Sequence, residues 1–395
     1  KSKEGSRALR KIYFAVFGSG LGHATRVLDI SGRISCGGTE LLYSSFDEGL
    51  DYLAAHGMRT LDSPSVDVKW NSDGSLSTMN TIIRFPQGLM SFSKQVDFES
   101  KHISKFRPDV VVSDSRLSAI FAAKSRSFPV VTILNQFKVL FPPRFRGKML
   151  SNFWERFAGD LLGLFWSLSD NVCMTDLPPP YTIGEANISG TDVSNIVNYV
   201  GFTSPRIETS EERLLKIRET LGLNKRIVFI QISGPNASKK YFIKEALNAA
   251  GPLSKEFNII VSFGYPGGSP EPKRLANGGW VYEWCPVKDE LFILSSVLVA
   301  RSGHGTIGQC VNAGKPAVLV PIQNHSEQLA NAEKFQQLGL GISIRSEDLS
   351  MPKLVEAVRA CANDPKYSKR AEDLRQISLK YDGVERVAEI INSYR

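Results

Sequence analysis

Short, mostly apolar runs of β-branched and aliphatic residues, without alternation of apolar and polar positions, recur along this chain between longer stretches of helical period. A strand that is apolar on both faces must be covered on both faces, which calls for a parallel sheet flanked by helices. In the first half such runs occupy residues 12–17, 41–44, 110–113 and 130–134, with helical patterns over 22–34 and 117–125. The rhythm restarts with runs at 226–232, 259–263, 296–300 and 317–321, separated by helical patterns over 241–250 and 327–338. The chain is therefore expected to be α/β, two Rossmann-like, doubly wound parallel-sheet domains facing each other across a cleft, and its 395 residues are enough for both. Gly201 and Pro205 precede a charged helical stretch at 208–221, which places the hinge near residues 201–210 and the domains at 1–203 and 204–378.

Other classes are excluded by what is missing. No apolar stretch approaches the roughly 18–20 residues needed to cross a bilayer. The basic start is followed by too short an apolar run for a secretory leader. The five cysteines (Cys36, Cys173, Cys285, Cys310 and Cys361) are scattered without C-x-x-C spacing, so neither a disulfide framework nor a zinc ribbon is expected, and a reducing cytoplasm fits best. The formal net charge of +8 is spread without a basic block, so no nucleic-acid partner is expected.

Ligands of open parallel sheets bind at the carboxyl ends of the strands, so the turns there are the places to look. The first, Phe17-Gly-Ser-Gly20-Leu-Gly22-His23-Ala-Thr-Arg26, opens a helix directly after the first strand. Its spacing is G-x-G-x-G, and no acidic residue closes the second strand, so a dinucleotide fingerprint is not met. His23 falls in the first helical turn, where the positive end of the helix dipole leaves an imidazole nitrogen open to accept a proton, as a general base requires. Asp114, at the end of the run 110–113, is read three ways: as the residue that orients His23, as the base itself, or as a helix N-cap. A second turn contains Ser233 and Gly234, suited to a phosphate pocket or to an ordinary N-cap. A third, Arg301-Ser302-Gly303-His304-Gly305-Thr306-Ile-Gly-Gln309, gathers hydroxyls, glycines, a histidine and an arginine at a helix N-terminus, an anion-binding arrangement. The next turn carries Asn324, His325, Glu327 and Gln328, side chains able to hydrogen-bond several sugar hydroxyls.

The run Arg301-Ser-Gly-His-Gly-Thr, then Ala313-Gly314-Lys-Pro316, Pro321 and Glu327-Gln328-x-x-Asn331-Ala332, resembles the donor-binding signature of GT-B nucleotide-sugar glycosyltransferases. The opening Gly18-x-Gly20-x-Gly22-His23 is similar to the first loop of the same family. The likeness is to the branch that includes the peptidoglycan lipid-linked N-acetylglucosaminyltransferases and the UDP-glucuronosyl/glucosyltransferases. It implies that the second domain binds a UDP-sugar as substrate, with no cofactor. Gly20 and Gly22, with Ser233, Gly234, Arg301, Ser302, Gly303, His304, Gly305 and Thr306, would then lie along the diphosphate. Trp284 and Cys285 would lie where the uracil is read, and Gln309 stands where the family usually has a glutamate on the ribose. Asn324, His325, Glu327 and Gln328 would meet the donor sugar, and His23 with Asp114 would face the acceptor. The family also often returns the last helix, here 379–395, to the first domain.

With no D-x-D motif evident, inverting transfer without a metal is expected, the leaving-group charge being taken by the helix N-terminus with His304 and Arg301. The acceptor is read as a small molecule or a lipid-linked one. Basic and aromatic residues at 141–148, followed by a stripe of Leu150, Phe153, Trp154, Phe157, Leu161, Leu164, Phe165 and Leu168, fit either a peripheral contact with the inner face of the membrane or a core-facing helix. A nucleotide-sugar 2-epimerase and a non-catalytic nucleotide-sugar-binding protein are the alternatives.

Overall fold

The computed structural model describes residues 9–34, 38–65, 85–138, 140, 149–188, 196–204, 206–276 and 278–394. The expected basic segment 141–148 lies outside them, as do the side chains of Leu150, Phe153 and Trp154.

Two seven-stranded sheets form. The first has strands β1 (Arg10–Val16), β2 (Thr39–Ser45), β3 (Thr60–Asp62), β4 (Val110–Asp114), β5 (Val130–Leu134), β6 (Asn171–Met174) and β7 (Val197–Tyr199), in the order β3-β2-β1-β4-β5-β6-β7, all parallel. The second has β8 (Arg226–Gln231), β9 (Phe257–Ser262), β10 (Lys273–Arg274), β11 (Trp280–Tyr282), β12 (Val297–Ala300), β13 (Ala317–Leu319) and β14 (Gly341–Ser343), in the order β10-β11-β9-β8-β12-β13-β14. Only the β10–β11 pair is antiparallel. The mostly apolar runs include the inner strands: β4, β5, β12 and β13 are buried at each residue. Each sheet is sandwiched between two apolar layers.

In each sheet the chain reverses its winding beside the first strand, between β1 and β4 and between β8 and β12. The loops after these four strands therefore diverge at their carboxyl ends and leave a crevice. Contacts between the two halves close around it. Glu185 pairs with Lys334, and Asn135 Nδ2 donates to Glu327 Oε1 at 3.4 Å. Asp29, in the helix Leu21–Gly32, faces Asp289 of the helix Lys288–Leu294, and burial with that like charge pushes its carboxyl up to about 6.

The helix Gly383–Asn392 crosses back onto the first sheet, where Val384, Val387, Ala388 and Ile391 join the core around β1. Arg10 holds its end, donating to Asn392 Oδ1 at 2.6 Å. At this crossing the backbones touch. A Cβ on Gly383 would lie 2.4 Å from the carbonyl oxygen of Gly201, and Gly201 itself, with φ 96°, faces Tyr381.

The apolar stripe of the helix Met149–Trp166 divides between two environments. Phe165 packs edge-on against Phe121 at 5.2 Å between centroids and Trp166 is buried, whereas Phe157, Leu161 and Leu164, and Leu168 just beyond the helix, are exposed. Among the described residues no helix is long and apolar enough to cross a membrane.

Replacing Gly383 by alanine is expected to lower unfolding stability by about 1–3 kcal/mol, because the crossing backbones must separate. Urea denaturation measures this, and an unchanged midpoint would mean that the two segments part without cost.

Candidate active site at the domain crevice

The β1 loop is shaped by glycines at the positions where the chain crowds. A Cβ on Gly18 would lie 1.9 Å from the carbonyl oxygen of Phe46, and Gly20, with φ 81°, turns the chain into the helix Leu21–Gly32. His23 follows in the first turn, with its ring edge against Phe17 at 5.2 Å. Its Nδ1 lies 2.7 Å from Oδ1 of Asp114, the last residue of β4. Arg26, one turn along the same helix, donates its Nε to Asp114 Oδ2 at 2.5 Å and its Nη2 to Oδ1. Asp114 has no exposed surface. Burial by itself would raise its pKa, but the adjacent Arg26 and His23 outweigh burial and hold the carboxyl down to about 2. An ionised carboxylate only accepts hydrogen bonds, so His23 presents Nδ1–H to it and keeps Nε2 as the proton-accepting nitrogen. The N-cap of the helix Leu117–Lys124 is Arg116, so Asp114 does not serve as that cap.

A buried polar network that the sequence reading missed steadies this loop. Arg116 Nη2 donates to Glu99 Oε1 at 2.6 Å, and Tyr13 and Ser44 donate to the same carboxylate at 2.6 Å each. Arg116 also reaches the carbonyl of Val16 at 3.2 Å, which ties the end of β1 to the turn after β4. Glu99 comes from the helix Phe85–Phe106, which has no apolar run or Gly-rich turn to announce it.

On the opposite side, the helix His304–Ala313 begins at Gly303 without a side-chain cap. A Cβ on Gly303 would meet nothing within 4 Å, and the first-turn N–H groups have no side-chain cap. Gly305 and Thr306 lie in this turn, and Gln309 is half-buried one turn further along. The Ser233–Gly234 turn follows β8, with Gly234 at φ 97°.

Several side chains expected in the anion site are engaged elsewhere. Arg301 is buried. Its Nη1 donates to the carbonyls of Val320 and Pro321 and to Ser346 Oγ at 3.0, 3.3 and 3.1 Å, and its Nη2 donates to the Ser238 carbonyl at 2.5 Å. A guanidinium has enough donors to fasten three loops at once, and that is what this one does. Its burial lowers its pKa to about 10. His304 turns away from its own helix opening, Nε2 lying 2.9 Å from Asp176 Oδ2 of the first domain. Asp176 also accepts from the backbone N–H groups of Leu177, Ile183 and Gly184, so His304 docks on a carboxylate already fixed in place. Ser302 Oγ donates to the Gln328 carbonyl at 2.7 Å, and Gln328 Oε1 accepts from the Ile322 N–H at 3.0 Å, so both brace the loop after β13.

The other residues expected to meet the donor differ in their surroundings. His325 caps the helix Ser326–Gln337 through a bond from the Gln328 N–H, and burial lowers its pKa. Asn324 is exposed at φ 59°, and Glu327 reaches Asn135 across the crevice. Trp284 is 42% exposed, available to a ligand rather than packed at a strand end, whereas the Cys285 thiol beside it is buried and pushed up to about 12. Among the described residues no three His, Cys, Asp or Glu side chains cluster as metal ligands.

Because the Asp114 carboxyl lies below its unfolded value near 4, it contributes stability above that pH and loses it as pH falls through about 2. Asp114→Asn should therefore cost about 2–3 kcal/mol at pH 7 and progressively less below pH 4, as read from urea midpoints across that range. A cost independent of pH would place the stabilisation elsewhere.

Residues 234–387 match the glycosyltransferase family 28 C-terminal domain, and residues 10–142 match glycosyl transferase family 1. An uncharacterized glycosyltransferase of Methanosarcina mazei is 26% identical over 400 residues, covering 96% of this chain and 97% of its own. Over 157 residues the chain is 31% identical to a UDP-N-acetylglucosamine–N-acetylmuramyl-(pentapeptide) pyrophosphoryl-undecaprenol N-acetylglucosamine transferase of Geobacillus kaustophilus, covering 38% of this chain and 42% of that one. The crystal structure of the kitacinnamycin glycotransferase superposes with a TM-score of 0.68 at 16% identity, covering 97% of this chain and 98% of its own. With a family 28 match after β8, a family 1 match around β1 and β4, and two parallel sheets, the chain has the GT-B architecture and is similar to glycosyltransferases in both halves.

Proposed function

We propose that this glycosyltransferase moves a sugar from a UDP-sugar to an acceptor hydroxyl in a single inverting displacement, with His23 as base. The observation that carries the reading is the His23–Asp114 contact of 2.7 Å at the switch point of the first sheet, paired with the uncapped helix N-terminus at that of the second. The acceptor O–H proton passes to His23 Nε2 as its oxygen bonds to the sugar C1. The C1–oxygen bond to the diphosphate breaks on the opposite face, and its electron pair remains on the phosphate. One displacement of this kind inverts the anomeric centre. Asp114 stays ionised and stabilises the imidazolium that forms, while Arg26 fixes the carboxylate in place. The first-turn N–H groups after Gly303 receive the diphosphate charge, the role a divalent cation fills in other transferases, so transfer is read as metal-independent.

Glu327 and Asn324 are assigned to the donor-sugar hydroxyls and Trp284 to the uracil; the contact of Glu327 with Asn135 and the exposure of Trp284 support this reading. The acceptor is read as lipid-linked or a small apolar molecule met at a membrane surface on the inner side. The exposed Phe157, Leu161, Leu164 and Leu168 are suited to rest on lipid.

His23→Ala should lower transfer by about 10²–10⁴-fold, the worth of general-base catalysis, with UDP affinity changed by less than about 2-fold because His23 lies on the acceptor side. Equal loss of turnover and UDP affinity would reassign His23 to the donor. Product analysis with UDP-sugars should show UDP and an inverted glycoside at the same rate with excess EDTA. Abolition by EDTA would overturn the metal-free reading, and an epimerised donor without glycoside would overturn transfer.

A further inference from the structure

The second domain buries a cation that has no anion. Lys239 lies four residues into the helix Asn236–Ser254, just after the Ser233–Gly234 turn, and is 1% exposed. Its ammonium donates to the carbonyl of Gly264 at 2.6 Å and sits 4.9 Å from the centre of the Tyr265 ring. Among the described residues it forms no ion pair, and the carboxylate that acts on it is Glu48, on the opposite domain.

Three physical costs coincide at this position. Burial disfavours an ammonium and lowers its pKa, which Glu48 only partly offsets. The first turn of a helix carries the positive end of its dipole, the wrong end for a cation. A single carbonyl leaves two of the three ammonium donors without a strong acceptor. Lysines normally avoid such costs by extending the charge into water along a flexible stem. The contrast with Arg301 is direct, since that buried guanidinium has four oxygen acceptors.

The surroundings of Lys239 are also incompletely paired. The carbonyl it holds belongs to Gly264, at φ 61°, where a Cβ would lie 2.3 Å from the Ile232 oxygen, so that acceptor is fixed at the ends of β8 and β9. Ser262 Oγ and Gln231 Oε1, at those same strand ends, are buried without a hydrogen-bond partner. The residue before Lys239 gives its carbonyl to Arg301, which places the lysine beside the loop that opens the helix His304–Ala313. An anion delivered to this crevice would relieve all three costs together.

Resting on the nucleotide-sugar reading above, we infer that Lys239 is the diphosphate-binding cation of the donor site, exchanging the Gly264 carbonyl for a phosphate oxygen when donor binds. As the C1–oxygen bond breaks, Lys239 donates a hydrogen bond to the leaving phosphate oxygen and keeps its own proton. The acceptor's proton goes to His23.

The test compares UDP with uridine, which share base and ribose but differ in the diphosphate, by calorimetric titration of the full chain. Lys239→Gln should weaken UDP by about 10- to 100-fold, the worth of a charge-assisted hydrogen bond, and leave uridine unchanged. Lys239→Arg should keep UDP within a few-fold of wild type. Unchanged UDP affinity in Lys239→Gln, or an equal loss for UDP and uridine, would overturn the assignment and leave the donor reading standing. A wild-type chain that binds none of UDP, dTDP, GDP and ADP would overturn both.

Discussion

A strand buried on both faces has little room for polar side chains along its length, so the chemistry of a parallel sheet gathers at its ends. In this protein β4, β5, β12 and β13 are buried throughout, and polar groups gather at their carboxyl edges: Asp114 closes β4, and Arg301 and Ser302 follow β12. The winding reversal beside β1 and β8 then decides which ends diverge and leave space. His23 follows β1 and the helix opening at Gly303 follows β12, so each stands beside the winding reversal of its own sheet.

Charges taken into this framework behave according to their partners. Asp114 is buried but bonded by Arg26 and His23, so it remains a carboxylate and can orient an imidazole. Glu99 is buried but accepts from Arg116, Tyr13 and Ser44, and it joins β1, β2 and the turn after β4 into one rigid edge. Arg301 has three carbonyls and the Ser346 hydroxyl as acceptors, its Nε alone lacking one, and it joins the loops around β13. Lys239 alone among these groups rests on a single carbonyl and an aromatic ring. Buried charges with several partners hold a structure together, and the single carbonyl partner of Lys239 is the observation behind the diphosphate proposal.

The two halves are coupled at points where the helix that opens the donor side touches the first domain or the linker. His304 bonds Asp176, and Ser204 Oγ donates to the Gly305 carbonyl at 2.8 Å. The return of the helix Gly383–Asn392 to the core around β1, through the close approach of Gly201 and Gly383, closes the same junction from behind. The helix N-terminus is thus oriented by both domains.

The inner strands were legible in the sequence because continuous apolar runs have one structural use. The outer ones, β3, β6, β7, β10, β11 and β14, were not, since two to four residues at a sheet edge carry no periodicity to read. The Gly-rich turns, the two-domain plan and the glycosyltransferase resemblance could likewise be read from residue order, because backbone sterics and helix termini act locally. Where each side chain points was decided only by the tertiary structure. Arg301 and His304 stand at the expected positions, yet one guanidinium turns into loop carbonyls and one imidazole turns to Asp176, 128 residues away in sequence. Glu99 and Lys239 drew no notice as sequence because their meaning lies in burial and in partners brought from distant strands. Local order specifies which groups reach an edge, and only packing specifies which of them are left with an unfilled bond.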